Sequence, residues 1–286
     1  MEVFAFATHN PSAPALYDDA TQQWWSYGEL LAVVRELARD LETSQKCLVF
    51  CFCRNNIETV IGYLAALFAH QTIALLDGEL SDEFKARLIA QYQPEFILAD
   101  TEIKPDAYGL IRQVKEKLQV WKSAQGNDQT IHADLAVLLS TSGSTGSPKF
   151  VRLSYQNITS NAVAIAKSLQ LAHHERAISS LPLHYSYGLS VLNSHLTAGA
   201  SMTLTNESVL STGFWNVFRQ MECTSLAGVP YLYQIFNRLR LENMELPSLK
   251  TMTQAGGKLD TDSIKKYHAM MAQRQGRFFV MYGQTE

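Results

Sequence analysis

The feature that most constrains this chain is a strand–helix–strand unit near its start. An apolar run, CLVFCFC at residues 47–53, is followed by Ile57, Val60, Ile61, Leu64, Leu67 and Phe68 at helical spacing, then by a second apolar run, TIALLD at residues 72–77. Parallel strands need a crossover of a dozen or more residues, and the helical stretch supplies one. A further strand is expected at FILAD (96–100). Before the unit, WSYGELLAVVRELARDL carries Leu30, Leu31, Val34, Leu37 and Leu41 on one helical face.

A polar stretch at residues 122–134, KSAQGNDQTIHAD, interrupts the pattern as a linker or long loop does. The alternation then resumes. Strands are expected at LAVLLST, KFVRLS, RAISSLP, SMTLTN, TSLAGVP, LKTMTQAG and RFFVMY, with helices after Tyr155, Tyr187, Val209, Tyr231 and Asp260. The pattern predicts an α/β fold of two subdomains, each a mainly parallel sheet flanked by helices. The polar stretch divides them, giving residues 1–128 and residues 129–286. A chain of 286 residues has room for both.

Composition excludes several classes. With 24 Lys plus Arg against 27 Asp plus Glu, the net charge is −3, which gives no electrostatic case for nucleic acid or an anionic membrane. No segment approaches the roughly 20 apolar residues of a membrane span. The first residues lack the basic start and apolar core of a secretory leader, so a cytoplasmic location is expected. Cys47, Cys51 and Cys53 fall at even spacing and should share one strand face as small core residues. No H-E-x-x-H, paired C-x-x-C or G-x-S-x-G string is present, which removes zinc hydrolases and α/β-hydrolases.

The informative residues lie where strands end, which is where open α/β sheets bind ligands. The most specific string is LLSTSGSTGSPKFVRLS (138–154). Gly143 and Gly146 let the backbone approach a ligand, successive N–H groups can cradle an anion, and Ser142, Ser144, Thr145 and Ser147 add hydroxyls. Lys149 adds a positive charge. The set suits a polyphosphate better than a flexible linker, because apolar strands flank it and a rigid Pro-Lys pair ends it. It is not a Walker A loop, since the glycines are three apart and Phe150 follows the lysine. Three other strand ends carry candidate residues. RFFVMYGQTE offers Tyr282 as a stacking face, Gly283, Thr285 as a phosphate donor and Glu286 as a hard oxygen ligand. Gly256 and Gly257 would let a ring lie on the backbone. LPLHYSYGLSVL (181–192) offers His184 and Tyr185 as a pocket wall.

Together these strings resemble the adenylate-forming, or AMP-binding, enzymes: acyl-CoA synthetases, peptide-synthetase adenylation domains and luciferases. TSGSTGSPK (141–149) is similar to T-S-G-S/T-T-G-x-P-K, and YGQTE (282–286) to Y-G-x-T-E. WSYGEL, ALFAHQTIALLD and LPLHYSYG resemble weaker motifs of the family in the right order. The resemblance implies ATP-dependent activation of a carboxylate to an acyl-adenylate, then transfer to a thiol of coenzyme A or of phosphopantetheine on a carrier protein. It implies that Thr141, Ser142, Gly143, Ser144, Thr145, Gly146 and Lys149 meet the β- and γ-phosphates. Tyr282, Gly256 and Gly257 would flank adenine, Gly283 would also belong to the nucleotide site, Thr285 would meet the α-phosphate, and Glu286 would bind Mg²⁺. Lys149, Thr285 and Glu286 form the expected catalytic set, and His184, Tyr185 and Gly256 the substrate pocket.

Two departures stand out. Phe150 replaces the usual glycine, and the family histidine aligns with Tyr185, one place after His184. The family also continues past Y-G-x-T-E into a β-barrel and a small mobile domain. The chain therefore reads as the first part of the large N-terminal domain, with barrel and small domain absent and little adenylating activity alone. The alternative is a non-catalytic nucleotide- or partner-binding module.

Overall fold

The computed structural model describes residues 3–101, 103, 105–115, 117–126, 129–140 and 149–286. Two seven-stranded sheets organise them. The first runs, edge to edge, β6 (Tyr108–Val114), β7 (Leu118–Ser123), β5 (Phe96–Ala99), β3 (Leu48–Cys53), β4 (Thr72–Asp77), β8 (Leu135–Ser140) and β9 (Phe150–Ser154). Its four central strands are parallel, and antiparallel strands flank them. The second runs β14 (Arg277–Val280), β13 (Thr251–Gln254), β12 (Ser225–Gly228), β10 (Arg176–Ile178), β11 (Ser201–Leu204), β1 (Pro14–Asp18) and β2 (Gln23–Ser26). Only β2 is antiparallel there. Among the described residues neither sheet closes into a barrel.

The helices sort into three layers. Helices α1 (Tyr27–Asp40), α2 (Ile57–Phe68), α4 (Tyr155–Leu169) and α5 (Ser186–Thr197) share one core with strands of both sheets. Helix α3 (Asp82–Tyr92) covers the outer face of the first sheet, where Leu88 meets Phe50, Phe52 and Ile97. Helices α6 (Thr212–Gln220), α7 (Pro230–Arg238) and α8 (Thr261–Gln273) cover the outer face of the second. The order is helix, sheet, helix, sheet, helix. Strand β3 is buried along its whole length because helices lie on both sides. Val49, Cys51 and Cys53 face the central layer, and Leu48, Phe50 and Phe52 face α3. The cysteines are core residues, as their spacing predicts, and all four in the chain are free thiols.

The polar stretch at 122–134 does not divide the sheets. The early strands β1 and β2 join the second sheet, while β8 and β9, which follow the stretch, join the first. Strand pairing follows shared burial: β1 lies in register with β11, and Leu16 and Met202, both fully buried, pair across it. A carboxylate also ties the two sheets. Asp18, at the end of β1 and 1% exposed, accepts from the Ile57 N–H at the start of α2 at 3.2 Å. This supplies one of the partners that a helix N-terminus lacks. No helix among the described residues is long and apolar enough to cross a membrane.

Candidate active site

The carboxyl ends of β10, β13 and β14 carry Tyr185, Gly256, Gly257 and the residues from Tyr282 to Glu286 toward one edge of the second sheet. Strand β13 ends at Gln254, which is buried. Its Nε2 donates to the carbonyls of Ala255 and Gly257 at 3.2 and 2.8 Å, folding the loop back on the strand end. Gly256 then sits at φ +78°, and a Cβ there would lie 2.6 Å from Tyr185 Oη and 3.0 Å from Val229 Cγ1. Both the backbone conformation and the space demand glycine. Tyr185 is the residue that touches Gly256. It precedes α5, and the next turn is anchored by Tyr187, whose hydroxyl donates to Thr253 Oγ1 at 2.7 Å. Burial pushes the Tyr187 phenol well above its ordinary range, so it stays a donor.

His184 stands one place earlier. It is half-buried, and desolvation pulls its imidazole below the usual value while Asp77, at the end of β4, pulls the other way. Of the two neighbours, Tyr185 is the one that reaches Gly256.

Past β14, the Met281 N–H donates to the Gln254 carbonyl at 2.7 Å. The chain then leaves the sheet. Tyr282 is 96% exposed and Gly283 has open space around it. Thr285 returns to the protein, sharing a hydrogen bond of 3.2 Å with Ser186 in the first turn of α5. Glu286 is exposed beside it.

Thr141, Ser142, Gly143, Ser144, Thr145 and Gly146 lie outside the described residues. Their flanks are described. Ser140 pairs with Phe150 across the β8–β9 ladder, so the segment leaves from the carboxyl end of β8. Lys149 is exposed immediately before β9. Phe150 packs edge-on against Tyr92 of α3, with ring centroids 5.3 Å apart. The departure from glycine is therefore taken up by packing on the outer face of the first sheet.

No motif in the sequence singles out Asn55, Asp18, Ser186 or Thr253, whose side chains make hydrogen bonds at or near these strand ends. Asn55 and Asp18 each follow or end a strand at the carboxyl edge, a positional signal that could have flagged them. Among the described residues no three or more His, Cys, Asp or Glu side chains gather as a metal cage. A lone exposed carboxylate such as Glu286 nevertheless fits Mg²⁺, which keeps waters and takes its other ligands from phosphate. A cavity of about 600 Å³ lies elsewhere, along α3, lined by Lys85, Ile89, Ile103 and Tyr108 among others.

Comparison with known proteins agrees with this architecture. A feruloyl-CoA synthase from Amycolatopsis is 29% identical over 154 residues, covering 54% of this chain and 30% of that protein. The o-succinylbenzoate CoA synthetase of Bacillus subtilis, solved in complex with its acyl-adenylate intermediate, superposes with a TM-score of 0.76 at 20% identity, over 99% of this chain and 58% of that one. The N-terminal subdomain of Klebsiella oxytoca NpsA, in complex with 3-hydroxybenzoyl-AMSN, superposes with a TM-score of 0.79 at 17% identity, over 99% of this chain and 72% of that one. The chain thus spans less than two thirds of the length of the first two. The AMP-binding enzyme family matches residues 3–286, and with that match over nearly its whole length this chain belongs to the AMP-binding enzyme family.

Proposed function

We propose that this chain carries the nucleotide-holding part of an ATP-dependent ligase that activates a carboxylic acid as its acyl-adenylate and passes the acyl group to a thiol of coenzyme A or carrier-bound phosphopantetheine. The observation that supports it most is the convergence of Gly256, Tyr185, Ser186 and Thr285 on one sheet edge. In this reading a substrate carboxylate oxygen attacks the α-phosphorus of ATP, the bond from that phosphorus to the bridging oxygen breaks, and pyrophosphate leaves. The acid is already ionised near neutral pH, so no general base is needed. The problem is to bring one anion to another, which calls for positioned donors and cations.

The chain's residues meet that need in distinct ways. Gly256 and Gly257 let adenine lie against the backbone, with Tyr282 as the second face. Thr285, oriented by Ser186, donates to the α-phosphate. Thr141, Ser142, Gly143, Ser144, Thr145, Gly146 and Lys149 hold the outer phosphates. Glu286 would hold Mg²⁺, which when bound neutralises phosphate charge. Tyr185 and Gly256 bound the acyl side, with His184 at its rim. In the second step a thiolate attacks the acyl carbonyl and AMP leaves.

The test is exchange of labelled pyrophosphate into ATP, measured across aliphatic, aryl and amino acids, together with calorimetric titration of ATP with Mg²⁺. Exchange that depends on one class of acid supports the ligase. ATP binding without exchange for any acid, even when the barrel and small domain of a family member are supplied as a second chain, supports a nucleotide-binding module instead. Absence of ATP binding sinks both.

A further inference from the structure

Asn55 stands two places past β3, at the carboxyl edge of the first sheet, yet its partners belong to the second. Its Nδ2 donates to the main-chain carbonyls of Ser179 and Leu181, both at 3.3 Å. Its Oδ1 accepts from the Leu183 N–H at 3.1 Å. Its own N–H donates to Asn206 Oδ1, beyond β11, at 2.9 Å. One carboxamide therefore binds three main-chain groups of the connection between β10 and α5. That connection delivers Tyr185 to Gly256 and Ser186 to Thr285. Its start is also fixed by Ser179, whose N–H donates to the Thr203 carbonyl at 2.9 Å and whose Oγ donates to the Thr205 carbonyl at 3.0 Å, and by Ser180 Oγ, which donates to the Ala227 carbonyl at 2.6 Å; nearer α5 the Tyr185 N–H donates to the Pro182 carbonyl at 3.1 Å.

We propose that Asn55 is a positioning residue, which sets the β10–α5 connection from the opposite sheet and thereby places the acyl-side wall at Tyr185 and the Ser186–Thr285 contact. What that wall serves rests on the ligase reading; the positioning itself does not. The chemistry of the amide is specific. It gives two donations and takes one, and neither a carboxylate nor an apolar side chain can do both. In Asn55→Asp the acceptor survives, but a negative charge faces two carbonyl oxygens.

The experiment follows amide hydrogen exchange of residues 179–187 in the full chain, for wild type, Asn55→Ala and Asn55→Asp, beside Michaelis constants for ATP and for the best carboxylic acid in pyrophosphate exchange. Loss of one to three hydrogen bonds predicts exchange about tenfold faster in that connection, with β3 and α2 unchanged. The KM for the acid should rise about tenfold while that for ATP changes less than about threefold. If Asn55→Ala does not fold, Asn55→Asp carries the test. Unaltered exchange in both variants overturns the proposal, and so does acceleration spread evenly over the chain, which would make Asn55 a general stabiliser. A wild type with no acid-dependent exchange, even with the barrel and small domain of a family member supplied as a second chain, defeats the ligase reading, while hydrogen exchange still decides the role of Asn55.

Discussion

Strands β13 and β14 end side by side, and the chain leaves them in opposite ways. After β13 it is held at every step: Gln254 binds the loop's carbonyls, and Tyr185 and Val229 press on Gly256. After β14 it is held at Met281 and again at Thr285, and between them Tyr282 stands almost wholly in solvent. The first exit is built by hydrogen bonds and packing together. The other leaves Tyr282 open to solvent between two anchored points. Preorganised donors gain their value from rigidity, whereas a stacking ring has to admit its ligand first. The two exits should therefore answer differently to substitution.

The largest effect is expected on the built side. A Cβ on Gly188 would lie 2.2 Å from the Pro182 carbonyl oxygen, a backbone atom that cannot yield as a side chain does. Gly188→Ala should cost about 3 kcal/mol or more in urea denaturation, at the upper end of overpacking effects. An unchanged midpoint would show that the start of α5 is free to move, and would erase the contrast. Gly256→Ala should cost about 2 kcal/mol, from the left-handed backbone and the Tyr185 contact together. Adding Tyr185→Phe removes the Oη nearest the new methyl, and a double-mutant cycle should return about 0.5–1 kcal/mol. Strict additivity would mean that the two residues do not press on each other.

An acid-sensitive effect of intermediate size belongs to the far end of α5. His195 is 2% exposed; its Nδ1–H donates to the Val191 carbonyl at 2.8 Å, and Nε2 is buried without a partner. Burial lowers its pKa below the unfolded value. The unfolded chain then binds the proton first, so stability is complete above about pH 6.5 and falls as pH drops through and below it. The slope from this one group is at most about 1.4 kcal/mol per pH unit. His195→Leu should flatten the denaturation midpoint between pH 7 and 5 by up to that amount, and equal slopes in the two proteins would remove His195 from the account.

The smallest effect on stability is expected at the open exit. Tyr282→Ala should leave the denaturation midpoint within about 0.5 kcal/mol. ATP affinity should nevertheless fall about tenfold or more, given about 1–3 kcal/mol for a base-stacking ring. A large loss of stability would mean that Tyr282 packs on protein after all, and the contrast between the exits would fail.

The same contrast explains what could be read from residues alone. The β3–α2–β4 unit was legible because strands buried on both faces are apolar throughout. The Gly256–Gly257 turn was legible because its conformation demands its residues. Helix α3 was not, since only Lys85 and Leu88 are buried along it and its periodicity is weak. Strand β6 escaped because it is largely exposed and a bulge between Leu110 and Arg112 breaks the alternation. The exchange of strands between sheets, and the choice of Tyr185 as the residue that meets Gly256, depend on contacts between segments far apart in sequence, which no local pattern encodes.

That exchange of strands governs the order in which the molecule can be made. The β1–β2 hairpin leaves the ribosome first, but its parallel partner is β11, and Leu16 must wait for Met202. Everything from β3 to β9 can pair in the meantime, because the strands of the first sheet lie within one continuous stretch of chain. The hairpin therefore remains an unfinished edge until β11 has been made, exposed to the wrong partners that such edges invite. Closing that long separation is also entropically slow. The N-terminal residues thus act as a latch that can fasten only after the C-terminal part of the second sheet exists, and a chain lacking them should retain the first sheet while leaving β11 unpaired along one side.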